Sequence, residues 1–370
     1  MNWLPKPSLN WLLLFVPIAV IVRIWPQNQN KTVLFICACL AIIPLAGWMG
    51  RATEELAAHL GQGAGGLLNA TFGNAAELII GLVALSKGLT GVVKASITGS
   101  IIGNVLLVMG GSILAGGLKF REQRFNRTAA RASTTTLTLA VVALAIPTIF
   151  HVTAAGRSGG WTQATEHSLS FAIAVVLFVT YACMLAFELV THKQLYAGGS
   201  RDRSANLRES RNWSLSRSIL VLLAATSLVA LMSEFLVGAV EAARTALGLS
   251  EVFVGVIVIA VIGNAAEHST AVMMAMNDKM GLSLEIAIGS SLQIALFVAP
   301  VLVFFSHLFG QPMDLEFTVP EVAAMFVAVH LIFQINGDGE TNWLEGVQLL
   351  SLYLILCILF FYLPEPTHPG

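Results

Sequence analysis

The stretch Gly73-Asn74-Ala75-Ala76-Glu77 recurs letter for letter as Gly263-Asn264-Ala265-Ala266-Glu267, and each copy lies within a long apolar run. A carboxylate at the centre of a bilayer costs about 2.5 to 3.5 kcal/mol on insertion scales, so it normally faces a cavity or a partner. Two of them in matching surroundings point to a shared task.

The surroundings are those of a membrane protein. Apolar residues make up 56% of the 370 positions, charged residues only 11%, and mean hydropathy is +0.78, all outside the usual range for a water-soluble domain. Hydropathy and helix breakers mark eleven spans, at 9–25, 32–60, 64–86, 89–117, 128–150, 167–190, 215–245, 251–276, 281–306, 319–336 and 343–362. A helix of roughly 20 residues crosses a hydrocarbon core about 30 Å thick, and these segments suit that task. The connections are too short to hold a soluble catalytic domain or a nucleic-acid module. Segment 9–25 ends in Arg23-Ile24-Trp25 before Pro26, with no small-residue cleavage pattern after it, so it reads as an uncleaved helix. Cys37, Cys39, Cys183 and Cys357 all fall inside apolar runs and read as small packed hydrophobes.

Lys and Arg in short loops stay on the cytoplasmic side. Loop 119–131 carries Lys119, Arg121, Arg124, Arg127 and Arg131, while 191–217 carries Lys193, Arg201, Arg203, Arg208, Arg211 and Arg217. Two spans separate these loops, so both lie on one side, together with Lys6 and Lys279. The other side holds Lys31, Lys87, Arg157 and Arg244. The amino terminus is therefore expected in the cytoplasm and the carboxyl terminus across the membrane.

The pentapeptides stand 190 positions apart, and at this offset residues 73–104 pair without a gap with residues 263–294. The pairing also matches Gly91 with Gly281, Gly99 with Gly289 and Ser100 with Ser290. Further back, EELAAHLG at Glu54–Gly61 resembles EAARTALG at Glu241–Gly248. The first pentapeptide falls on the third span, which runs outward, and the second on the eighth, which runs inward. The expected fold is an all-α polytopic membrane protein of about eleven transmembrane helices, one N-terminal helix plus two inverted five-helix repeats. Its expected divisions are 1–31 for the first helix, 32–190 for the first repeat, 191–214 for a cytoplasmic loop and 215–370 for the second repeat. Secondary transporters often have this architecture, with sites near the midplane where broken helices of the two halves meet.

Related by such symmetry, Glu77 and Glu267 would face each other. Like charges held close in a low dielectric do not both remain ionised unless a cation lies between them, and otherwise they take up protons. Gly73 and Glu77 share one helical face, as do Gly263 and Glu267, with Asn74 and Asn264 beside them. The glycines let the backbone open and offer carbonyl oxygens. Ser100 and Ser290 add hydroxyls, and Gln293 adds an amide one turn beyond Ser290. Oxygen ligands of these kinds, with no thiolate, suit a hard divalent cation that takes about six to eight oxygens, and calcium fits best. Gly-Asn-Ala-Ala is also a small-residue surface on which helices pack closely, which accounts for the glycines and alanines but not for the glutamates.

At these residues the sequence resembles the calcium/proton antiporter family of the cation/calcium exchanger superfamily. The resemblance covers nearly the whole chain and is carried by ATEELAAHLG, GGLLNATFGNAAELIIGLVAL, GSIIGNVLLVMGGS, SEFLVGAVEAA, VIGNAAEHSTAVMMAMNDKM and AIGSSLQIALFVAP. It implies a one-plus-ten helix fold, with Glu77 and Glu267 as central ligands and proton carriers. It also implies a site that takes in Gly73, Asn74, Ser100, Asn264, Ser290 and Gln293. The implied function is a secondary transporter that exports calcium from the cytoplasm in exchange for protons. A sodium/calcium exchanger, or an antiporter of another divalent cation, is the alternative. Calcium and protons would be substrates, so no cofactor is expected. Nor is a nucleic-acid partner, while the lipid bilayer is the obligatory surrounding and a homo-oligomer is compatible with the sequence. A prokaryotic plasma membrane is the expected location. The chain departs from the family in its 191–217 loop, which is basic where relatives often carry an acidic segment. His268 beside Glu267 is read as a proton relay or a packed ring, Glu234 and Glu241 as lining an ion path or as paired structurally, and Lys94 and Arg51 as snorkelling. No HExxH zinc motif, nucleophile elbow or dinucleotide loop occurs, so no enzyme is expected.

The basic-residue asymmetry gives a direct test of topology. Cysteines introduced singly at Ser158 and Ser204 should react with an impermeant maleimide from opposite sides of the membrane; labelling of both from one side would overturn the antiparallel repeat.

Overall fold

The computed structural model describes residues 9–25, 30–60, 62–154, 162–192 and 213–364. Most of the expected 191–214 cytoplasmic loop, and the labelling positions Ser158 and Ser204, lie outside the described residues. The described chain is helical almost throughout, as follows. Helix α1 is Leu9–Ile24, α2 Lys31–Leu60, α3 Gln62–Phe72, α4 Ala75–Ser86, α5 Thr90–Gly117, α6 Arg127–Ala154 and α7 Gln163–Thr191. They are followed by α8 Leu215–Leu247, α9 Glu251–Gly263, α10 Ala265–Met276, α11 Met280–Leu308, α12 Val319–Ile335 and α13 Trp343–Tyr362.

Among the described residues, seven helices are long and apolar enough to cross a membrane. The number becomes nine when each of two bent pairs, one running through Phe72 into α4 and the other α9 with α10, counts as one span. Helices α1 and α12 are shorter apolar elements. All eleven expected segments therefore coincide with helices, although two fall short of a full span by length alone.

Both bends occur at the repeated pentapeptide. The axis turns by 45° before α4 and by 60° between α9 and α10. Asn74 has φ −104° and ψ 30°, and Asn264 φ −93° and ψ 3°, so each leaves the helical well for the bridge region and starts a new helix. Neither side chain caps its own helix, which leaves both amides for other partners.

Helices α5 and α11 form the centre. Their apolar windows are 83% and 72% buried, against 22% for the peripheral α7. Each also contains a π-helical stretch, Gly103–Val108 in α5 and Ile294–Val298 in α11. At the 190-residue offset these stretches overlap, and such widened turns commonly mark functional positions.

The connections gather at two ends. At one end a two-residue ribbon pairs Gln123 with Thr341 and Arg124 with Glu340, while Gln123 donates to the Ala275 carbonyl and Lys119 to that of Met276. At the other end Lys94 pairs with Asp314 at 2.8 Å and Lys87 with Glu234 at 2.6 Å. One expectation is corrected here. Lys94 binds Asp314 in an ion pair rather than only snorkelling, while Arg51 remains exposed and lies over the Trp213 ring at 5.2 Å. Glu241 pairs with Arg244 one turn on, at 2.6 Å, so both Glu234 and Glu241 have structural partners.

The two bent pairs are packed differently. Helix α9 lies so close along α5 that a Cβ on Gly99 would run into the Val256 carbonyl, and one on Gly255 into the Ala95 side chain. Helix α3, which corresponds to α9 in the repeat, packs instead on α2, with Gly65 against the Ala57 backbone, and Tyr181 of α7 donates to its Ala70 carbonyl at 2.9 Å. Gly289 of α11, the counterpart of Gly99, faces open space: a Cβ there meets nothing within 4 Å.

This difference is testable by a pair of methyl groups. Gly99→Ala should lower thermal stability in detergent, since forcing an extra group into a close backbone contact costs about 1–3 kcal/mol. Gly289→Ala should leave the melting temperature of the same state unchanged, and an equal loss for both variants would contradict the asymmetry.

Candidate cation site

Glu77 is the third residue of α4 and Glu267 the third of α10. A carboxylate in the first turn of a helix meets the positive end of the backbone dipole and orphan N–H groups, which offsets part of its charge without a cationic side chain. The break thus does two things at once, opening the backbone and aiming a helix N-terminus at the acid. The Glu77 side chain crosses to the other half of the molecule, where its Cγ and Oε1 lie 3.4 Å from the place a Cβ on Gly263 would occupy. The Glu77 Oε2 atom is buried with no hydrogen-bond partner among the described residues, and so is Nε2 of the neighbouring His268.

Around the acids runs a chain of neutral polar groups that alternates between the halves. Asn74 donates through Nδ2 to Gln293 Oε1 and accepts at Oδ1 from Ser290 Oγ at 2.9 Å. Asn264 donates through Nδ2 to Ser100 Oγ at 3.1 Å. Asn74 with Ser290 and Asn264 with Ser100 are equivalent residue pairs, each asparagine of one half meeting the serine of the other, with the hydroxyl as donor in the first pair and as acceptor in the second. Asn104 joins the two arms, donating to Ser290 Oγ at 3.0 Å and to Asn264 Oδ1 at 3.4 Å. Asn74, Ser100, Asn104, Asn264 and Ser290 are all at most 5% exposed. Buried groups of this kind need partners, and in this network they satisfy one another.

Of the eight sequence-derived candidates, Asn74, Ser100, Asn264, Ser290 and Gln293 are joined by hydrogen bonds through this network, Gly73 abuts Gln293, and Glu77 and Glu267 each lie three residues beyond a bonded asparagine. Gly73 earns its place sterically: a Cβ would sit 2.9 Å from the Asn69 carbonyl and 3.2 Å from Gln293 Oε1, displacing the glutamine. Asn104 was not singled out from the sequence. It lies one turn beyond Ser100 on the same face, a lone amide in an apolar run, and that is the signal that would have found it. Its counterpart in the second half is Ile294, and Gln293 corresponds to Gly103, so the repeat itself carries no trace of either.

The sequence matches the family described as sodium/calcium exchanger protein over residues 30–190 and 217–362. The chain belongs to that family. It is 48% identical over 367 residues to a Ca(2+)/H(+) antiporter of Synechocystis sp., covering 95% of this chain and 96% of the relative. The fold matches the structure of native YfkE with a TM-score of 0.81 at 43% identity, covering 96% of this chain and 100% of that one. It also matches an H+/Ca2+ exchanger, CAX, with a TM-score of 0.69 at 13% identity, covering 95% and 91% of the two chains, a likeness of fold alone. The chain is an integral membrane protein of the exchanger type.

Asn104 supplies the test of the network. Asn104→Leu leaves two buried acceptors without a donor, a loss of about 1–3 kcal/mol. It is expected to weaken binding of calcium, the cation expected from the sequence, by about tenfold in isothermal titration, whereas an unchanged affinity would mean that Asn104 has no part in shaping the site.

Proposed function

We propose that this chain is a secondary active transporter that exports calcium from the cytoplasm in exchange for protons, by alternating access to a site centred on Glu77 and Glu267. The observation that carries the proposal is the buried chain of amides and hydroxyls that joins the two halves at their broken helices, with a first-turn carboxylate three residues beyond each asparagine and Glu77 reaching across to Gly263. The names of the relatives point the same way. Calcium takes oxygens at about 2.3–2.6 Å from a flexible set of carboxylates, amides, hydroxyls and carbonyls. On arrival of the ion, Asn74, Asn264, Ser100, Ser290 and Gln293 would exchange their mutual hydrogen bonds for coordination, so their oxygens are not left unsatisfied in either condition. Gly73 and Gly263 would keep the opened backbone accessible.

The proton takes the ion's place. Two ionised carboxylates without a cation cross the low-dielectric midplane only at a cost of about 2.5 to 3.5 kcal/mol or more each. Protonated, they cross as neutral groups. The ionised, empty site is therefore the forbidden traveller, and coupling follows without a separate proton path. Two protons against one calcium would make each cycle electroneutral.

The reciprocal contacts of Asn74 with Ser290 and of Asn264 with Ser100 support two inverted five-helix repeats, because antiparallel halves exchange equivalent contacts across their shared axis. The segregation of connections supports eleven crossings in total. Helix α12 joins the end that holds Asp314 to the end that holds the Glu340 strand, and α1 runs back along α2, with Trp48 donating to Asn10 at 3.0 Å. On the topology inferred from Lys and Arg, α3 lies in the cytoplasmic half. The gap at Gly289 then corresponds to a state open to the cytoplasm and closed by α9 on the far side.

Uptake of calcium by inside-out vesicles, with potential clamped by potassium and valinomycin, tests the scheme. A pH gradient should drive uptake, apparent calcium affinity should fall as pH drops because protons compete for the same carboxylates, and Glu77→Gln or Glu267→Gln should abolish uptake while folded protein remains in the membrane. Uptake indifferent to the pH gradient would refute the shared site and favour sodium exchange or a channel.

A further inference from the structure

A second cluster of ligating groups lies away from the central site, at the end of the molecule that holds the Lys94–Asp314 pair. His151 is near the end of α6, Glu166 in the first turn of α7, and Glu316 in the segment between α11 and α12. His151 Nδ1 is 2.6 Å from Glu166 Oε1 and 3.5 Å from Glu316 Oε2, and one ligand atom from each residue can be chosen so that all lie within 4.8 Å of one another.

The three groups are brought together by fixed backbone. Leu315 N–H donates to Ser170 Oγ of α7 at 2.9 Å. Phe317 N–H donates to Thr148 Oγ1 of α6 at 2.9 Å, and that hydroxyl donates back to the Phe317 carbonyl at 2.8 Å. Glu316 is thereby held between two anchored neighbours and aimed at His151.

Charge distinguishes the possible occupants. Asp314 is neutralised by Lys94 at 2.8 Å, which leaves Glu166 and Glu316 to be balanced. Glu166 is only 2% exposed, and a carboxylate so buried needs a cationic partner or a proton. A protonated His151 supplies one positive charge against two negative ones. A divalent ion bound to neutral imidazole supplies both. In a tetrahedral zinc site, ligand atoms about 2.0–2.2 Å from the metal stand roughly 3.3–3.6 Å apart, so the His151–Glu316 separation of 3.5 Å already fits and the His151–Glu166 separation of 2.6 Å must widen. Imidazole is a ligand for zinc and its neighbours in the transition series rather than for calcium or magnesium.

We propose that His151, Glu166 and Glu316 form a second metal site, distinct from the transport site, that takes a zinc-class divalent ion and clasps the α11–α12 connection to the α6–α7 hairpin. The fourth position is left to water. The Glu77→Gln/Glu267→Gln double variant removes the central carboxylates and isolates this site for study. Titrated with zinc chloride in detergent, the full chain carrying that pair should bind one zinc ion and gain thermal stability, and calcium chloride should give neither effect. Adding His151→Ala or Glu316→Gln, both at partly exposed side chains, should weaken zinc binding at least tenfold and remove the thermal shift. Absence of zinc binding in the double variant would overturn the proposal, and so would zinc binding that persists undiminished through both additional substitutions. An equal response to calcium would overturn the assignment of ion class.

Discussion

A carboxylate buried in the middle of a membrane protein is costly while it is charged and has no cation beside it. Most of the features around Glu77 and Glu267 follow from that single electrostatic constraint. Each acid lies in the first turn of a helix, where the backbone lends partial positive charge that needs no ionic side chain. A lysine or arginine in that position would have satisfied the acids permanently, and a permanently satisfied site has no use for a passing cation. The partial compensation of a helix terminus stabilises the pair and still leaves it incomplete.

Breaking a helix inside a bilayer exposes backbone groups that lipid cannot satisfy, so the breaks had to be buried in protein. This explains why the most enclosed helices, α5 and α11, carry the serines, Asn104 and Gln293, and why glycine lines the contacts through which the broken helices approach them. The polar network has no charged member. Its amides and hydroxyls can turn toward one another or toward an ion at little difference in energy, which charged groups could not do.

The sequence made the centre of this arrangement legible because cost leaves a mark. An acid in an apolar run is expensive, its exact repetition at a fixed offset is improbable without a reason, and glycine beside it signals where the backbone opens. The helices were legible for the related reason that about 20 apolar residues have few other uses. What remained hidden had no local signature. Asn104 has isoleucine as its counterpart, so comparing the halves could not reveal it. Lys94 and Asp314 are partners across 220 positions, and Lys87 finds Glu234 across 147; nothing near either residue announces the other. The Glu241–Arg244 pair, by contrast, stands at helical spacing and could have been read directly. The unequal packing of α3 and α9 was beyond reach for another reason: a single sequence must encode every state of a moving protein, and only coordinates select one.

The symmetry of the two halves is incomplete within the polar network itself. The glutamates, asparagines and serines come in matched pairs, but Gln293 stands opposite Gly103 in the repeat and Asn104 opposite Ile294. On the reading proposed above, turning the site from one face of the membrane to the other therefore does not reproduce its mirror image. A ligand shifts a two-state equilibrium only by its difference in affinity for the two states, and here that difference is built into the amides. The gradients alone still fix where net flow stops. The speeds of the forward and backward strokes, however, need not match under equal and opposite driving forces. On that same reading, a transporter of two inverted halves becomes a kinetic rectifier through two unmatched side chains.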